Sequence, residues 1–100
     1  PPRLEKVAVP RHRGQPLTVR WHNMPGHRFD WVGLFRVDAA AQPTAFPLPE
    51  VHRYLQCRTT GKLELPTLKN DQPLPAGLYE VRLMLDDSST VLASTKVRLH

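Results

Sequence analysis

GLYEVRLMLDDSSTVLASTKVRL, Gly77–Leu99, is the stretch that decides the fold class. Tyr79, Val81, Leu83 and Leu85 recur with period two, and Glu80 and Arg82 fall between them. Side chains of a strand alternate between its faces, so one set meets a core and the other meets water. Pro75-Ala76 precede the run, Asp86-Asp87-Ser88-Ser89 turn the chain, and Val91–Leu99 returns as a second strand. Such a hairpin predicts an all-β sandwich module rather than an enzyme.

The same reading extends toward the N-terminal side. The eleven prolines act as punctuation, and none falls inside an apolar run. Proline removes a ladder donor, so those runs are expected to pair as strands. Seven are expected: Leu4–Val9, Leu17–Asn23, Asp30–Val37, Val51–Thr59, Lys62–Leu65, Leu78–Leu85 and Val91–Leu99. No segment shows a helical apolar period. Seven short strands with turns between them predict one immunoglobulin-like β-sandwich over residues 1–100. Asp30–Val37 is apolar at nearly every position and reads as a central strand covered on both faces, or bent at Gly33. Tyr79 is placed for its hydroxyl to bond upstream backbone. The Pro- and Ala-rich connection Asp38–Glu50 is expected to cross between sheets.

One hundred residues with 40% hydrophobic content make one domain able to bury a core without cross-links. The lone Cys57 has no internal partner for a disulfide. No run approaches the ~20 apolar residues of a membrane-spanning helix, and no signal-peptide pattern appears. The start at Pro1-Pro2 reads as a processed product or a domain cut from a longer protein. Fourteen Lys+Arg against nine Asp+Glu give a formal charge of +5, and ten of the cations are Arg. That balance favours anionic partners: nucleic acid, acidic polysaccharide, lipid head groups or an acidic protein face.

Two segments carry a family resemblance. PLTVRWHNMPGHRFDWVGLFRV, Pro16–Val37, resembles a strand, a Pro-Gly turn and Asp-Trp-[Ile/Val]-Gly-[Leu/Ile]-[Phe/Tyr]. That pattern occurs in SKICH domains, in the amino-terminal sandwich of purple acid phosphatases and in related bacterial modules; here it rests on Trp21, Pro25, Gly26, Asp30, Trp31 and Gly33. PLPAGLYEVRLMLDD…VLAS, Pro73–Ser94, is similar to the closing hairpin of modules attached to secreted phosphoesterases of the calcineurin-like and endonuclease/exonuclease/phosphatase types. Gly77, Tyr79, Asp86 and Asp87 carry that likeness, and Arg53-Tyr54 with Thr60-Gly61-Lys62-Leu63 resembles the stretch between. The closing turn departs from the common Asp-Asp-Gly-Tyr, since Ser88 and Ser89 accept positive φ less freely than glycine. The resemblance implies a non-catalytic accessory module beside a catalytic domain that holds the metals and the nucleophile. It implies no cofactor of the module's own and an extracytoplasmic or secreted setting. Fold likeness alone does not fix function.

Read for chemistry, the residues point to structure first. His22, His27 and Asp30 match no zinc spacing and read as a polar turn. Asp86, Asp87 and Asp30 lack a calcium-loop pattern; Asp86 or Asp87 is expected to supply a side-chain acceptor to its own turn. Cys57 and His52 lie an odd number of residues apart on one expected strand, hence on opposite faces. Trp31 is expected to fill the core, with Asp30 bonding turn backbone. Phe29 and Phe46 are the rings expected at exposed loops. The candidate binding surface is basic. Arg20 and His22 point outward on one strand, and Arg82, Lys96 and Arg98 on the last two, with Arg82 meeting Lys96 or Arg98 across the ladder unless Glu80 intervenes. Arg53, Arg58 and Lys62 are expected to cluster beside Tyr54, a combination suited to single-stranded nucleic acid or an anionic glycan. The expected function is that of a non-catalytic accessory or binding module of a larger phosphoesterase-type protein. The alternatives are a SKICH-like protein- or membrane-interaction domain and a basic-face binder of anionic polymers.

Overall fold

In the run Leu17–His22, Leu17, Val19 and Trp21 are buried while Thr18 and Arg20 are exposed. The alternation is that of a strand with one face on a core. The computed structural model describes residues 1–37 and 48–100, and these form an all-β fold with no helix among them. β1 (Arg3–Leu4), β2 (Leu17–His22) and β5 (Gly61–Leu65) make an antiparallel three-stranded sheet in the order β1-β2-β5. β4 (Val51–Tyr54), β3 (Trp31–Arg36), β8 (Gly77–Met84) and β9 (Val91–Leu99) make a four-stranded sheet in the order β4-β3-β8-β9. This is the two-sheet division of an immunoglobulin-like sandwich.

The two inner faces share one core. Leu17, Val19, Trp21 and Leu65 come from the smaller sheet, and Val32, Leu34, Tyr79, Val81 and Leu83 from the larger. Each such side chain contributes about 1.5–3 kcal/mol when fully buried. Trp21 is the largest of them, and its indole Nε1 donates to the Arg58 carbonyl at 3.0 Å, so its polar end is satisfied. Tyr79 is equally buried, and its hydroxyl donates to the Pro75 carbonyl at 2.7 Å. Gly77 opens β8 opposite Leu99. β3 is central and buried at four consecutive positions, as a strand covered on both faces must be.

Several expected boundaries are corrected. The first strand pairs only at Arg3–Leu4; the Glu5 N–H still bonds the Arg20 carbonyl, and Val7 then turns into the core. The strand expected to reach Thr59 ends at Tyr54: the Leu55 N–H still bonds the Asp30 carbonyl in register, and Gln56 and Cys57 then leave the ladder at φ of 57° and 65°. A small hairpin of β6 (Leu68–Lys69) and β7 (Gln72–Pro73) was not expected. Asn70 and Asp71 turn it at φ of 54° and 62°, the paired left-handed geometry of a two-residue hairpin loop. Residues 38–47, with Phe46, lie outside the described residues. The connection expected to cross between sheets lies mostly there; the strands on either side of it, β3 and β4, are neighbours in one sheet.

Candidate recognition surfaces

Asp30 ties three loops together at one end of the sandwich. It is fully buried, and its carboxylate accepts three backbone N–H groups: Gly26 at 3.2 Å and His27 at 3.0 Å on Oδ2, and Asp86 at 2.9 Å on Oδ1. Its carbonyl accepts the Leu55 N–H at 2.9 Å, and the next carbonyl back, that of Phe29, accepts the Asp87 N–H at 2.8 Å. A buried carboxylate is tolerated when its lone pairs are filled in this way. The Pro25-Gly26 turn and the β8–β9 turn therefore share the Asp30 carboxylate, and β4's exit bonds the same residue's carbonyl. The two left-handed residues of that last turn are Asp86 and Asp87, at φ of 40° and 58°. Aspartate enters this region more readily than most residues, so the serines are spared it. Neither aspartate carboxylate serves its own turn as expected. Ser88 Oγ does so, donating to the Leu85 carbonyl and accepting the Thr90 N–H, while Asp87 Oδ1 accepts the Tyr54 hydroxyl at 3.1 Å.

Beside this junction the outward face of the four-stranded sheet carries a ladder of rings. Trp31, Gly33 and Phe35 share one face of β3, and the register sets Tyr54 opposite Trp31 and His52 opposite Gly33. Centroid separations run 5.8 Å from Phe29 to Tyr54, 6.0 Å to His52, 5.9 Å to Trp31 and 6.1 Å to Phe35, mostly edge to face. Such spacing is the favourable one for aromatic contacts. Gly33 is required by it: a Cβ there would lie 2.8 Å from both Phe35 Cε1 and Trp31 Cζ3. The ladder is graded. Phe29, His52 and Tyr54 are exposed, Trp31 is half-buried, and Phe35 is buried under the Arg82 guanidinium, 4.4 Å above its ring. Trp31 thus does not fill the core; Trp21 does. The Trp31 indole N–H is buried and has no hydrogen-bond partner among the described residues.

The basic residues fall into separate groups. On the three-stranded sheet Arg20 lies directly opposite Lys62, and Arg3 opposite His22. His22 Nε2 donates to Glu5 Oε2 at 2.5 Å, and Thr18 Oγ1 donates to Glu64. The Glu5 carboxyl is held below the usual carboxylate range, first by that hydrogen bond and then by the charges of His22, Arg20 and Arg3. Like charges set opposite each other are unfavourable unless an anion lies nearby, and the Glu5 carboxylate is close enough for the Arg20 charge to lower its pKa. Arg58 lies in the turn leading to β5, its Cδ against Gly61. Arg53 and Tyr54 belong to the other sheet, where they point to opposite faces of β4; they do not share a sheet with Lys62.

On β8 and β9 the register sets Arg82 opposite Ser94, Lys96 opposite Glu80 and Arg98 opposite Leu78. Arg82 therefore meets neither Lys96 nor Arg98. Its Nε donates to Glu80 Oε1 at 2.6 Å, and both side chains are largely covered. The ladder of rings was not foreseen from the sequence. Its signal is the period-two spacing of Trp31, Gly33 and Phe35 and of His52 and Tyr54, which becomes one surface only once β3 and β4 are known to pair. Compared with protein-family models, with curated proteins and with solved structures, the chain matches none.

Proposed function

We propose that this chain is a non-catalytic accessory module of a larger protein of the phosphoesterase kind, and that it works by presenting the ring ladder to a neighbouring catalytic domain. The observation that carries the reading is the position of Phe29, His52 and Tyr54. Three exposed rings sit together on the face turned away from the core, a grouping suited to association. The groups with chemical potential are already engaged in the architecture: Asp30 by three N–H donors, Asp87 by Tyr54, Ser88 by its own turn.

The test is phosphoester hydrolysis by the gene product that contains this chain. The reading expects no turnover by the isolated chain, and a change in hydrolysis when F29A/Y54A is introduced into the whole protein. Turnover by the isolated chain with added divalent metal contradicts it.

The Arg20–Lys62 pair favours a second reading, a binder of anionic polymers. Its mark is salt. Heparin or single-stranded nucleic acid would bind with an affinity that falls steeply as salt rises, and R20Q/K62Q would lower the slope by about 2. A slope unchanged in that variant dismisses the second reading and leaves the first untouched.

A further inference from the structure

The loop between β1 and β2 holds three successive side chains with cationic chemistry: Arg11, His12 and Arg13. All three line a hollow of about 70 Å³ together with His100, which arrives from the far end of the described chain. Thr67, Leu74 and Leu99 also line it, and all three are buried. None of the rings of the ladder lines the hollow.

The loop is fixed before any ligand arrives. The His12 N–H donates to Gln15 Oε1 at 3.0 Å, and the Gln15 N–H donates to the His12 carbonyl at 3.2 Å. The buried Thr67 hydroxyl donates to the Gln15 carbonyl at 2.8 Å, which anchors the loop to the segment before β6. Gly14 adopts φ of 86°, a left-handed conformation that side chains resist. A Cβ there would also press on Leu68 Cδ2 at 3.3 Å. Four residues that carry side-chain N–H donors thus line a hollow that the buried Thr67, Leu74 and Leu99 also line. Among the described residues neither Arg11 nor Arg13 has a carboxylate partner.

We propose that this hollow binds a phosphoryl group. Its size suits one tetrahedral oxyanion rather than a nucleotide. The loop and the chain segment after β9 both line the hollow, so N–H groups of both can serve a tetrahedral group's oxygens; a planar carboxylate offers only two. Guanidinium groups bind phosphate oxygens in pairs, and a preordered frame lowers the entropic cost of doing so. The buried leucines lower the local dielectric and strengthen each contact.

The experiment is a titration followed by amide and Arg side-chain NMR signals at constant ionic strength, with inorganic phosphate, phenyl phosphate and acetate as probes. The proposal expects saturable shifts at Gly14, Gln15 and the Nε–H of Arg11 and Arg13 with either phosphate. R11Q/R13Q weakens binding by about tenfold or more. Arg11 and Arg13 are exposed, and unshifted Tyr79 and Asp30 signals certify the fold of the variant. Tighter binding of phenyl phosphate identifies a phosphoryl group carried on a larger molecule; equal binding identifies free phosphate. Absence of saturable shifts, equal binding of acetate, or wild-type affinity in R11Q/R13Q overturns the proposal.

Discussion

Asp30 and Asp86, 56 positions apart, are joined by a 2.9 Å hydrogen bond from the Asp86 N–H to the buried Asp30 Oδ1. The other Asp30 oxygen holds Gly26 and His27. Removing the carboxylate leaves three N–H groups without their acceptor. Asp30→Ala is expected to lower unfolding free energy by about 3 kcal/mol or more. Asp30→Asn costs less, because one acceptor oxygen survives. Urea unfolding measures both, and a loss below about 1 kcal/mol in Asp30→Ala contradicts the role assigned here.

Tyr79 and Pro75 form the corner that leads into β8. The hydroxyl bond at 2.7 Å is buried. Tyr79→Phe keeps the ring and removes the donor, so a loss of about 1–2 kcal/mol is expected with no change of fold. Equal stability of the two proteins would show that water satisfies Pro75 as well.

Gly33 is the one position of β3 where a methyl group has no room. Gly33→Ala forces Trp31 and Phe35 apart, and Pro49 Cβ, 3.2 Å from the new atom, blocks the other way out. Overpacking of this kind costs about 1–3 kcal/mol. The expected signs are that loss and a shifted Trp31 indole resonance, with the Trp21 resonance unmoved. A Trp31 signal at its wild-type position contradicts the ring packing described.

Two ionisations report on opposite sheets. The hydrogen bond from His22 is the first cause of the lowered Glu5 carboxyl. A folded value below the unfolded one means a stabilisation that is complete above the ordinary carboxylate range and is lost as pH falls through the lowered value. His22→Gln is expected to raise the Glu5 midpoint, followed by its side-chain carbonyl resonance. On the other sheet the Asp87 carboxylate accepts the Tyr54 hydroxyl and raises its pKa, because the bond favours the neutral phenol. That contribution is present at neutral pH and is lost as pH rises through the raised value. Asp87→Asn lowers the Tyr54 midpoint in an ultraviolet titration. An unchanged midpoint in either variant contradicts the corresponding bond.

Much of the fold was legible because period-two patterns depend only on local sequence. Leu17, Val19 and Trp21, or Tyr79, Val81 and Leu83, announce their inner faces wherever their partners lie. The Tyr79 corner was legible for the same reason, its partner being four residues away. Pairing was not. Arg82 faces Ser94, and Lys96 faces Glu80, because the β8–β9 turn and the slip between Leu83 and Met84 set the register, and residue types alone give neither. Trp31 looks like a core residue by type, yet its face of β3 is set by Val32 and Leu34, which take the inner side. The β6–β7 hairpin hides in two-residue strands too short for any period to show.

Under the proposed function, Phe29, His52 and Tyr54 form the surface that associates with a neighbouring domain. Hydroxyl-radical footprinting tests it most directly, with labelling of these three rings compared between the isolated chain and the whole gene product. Protection of all three by several-fold in the whole protein, with Arg20 and Lys62 labelled equally in both, is the predicted result. Equal labelling of the rings in both contradicts the claim.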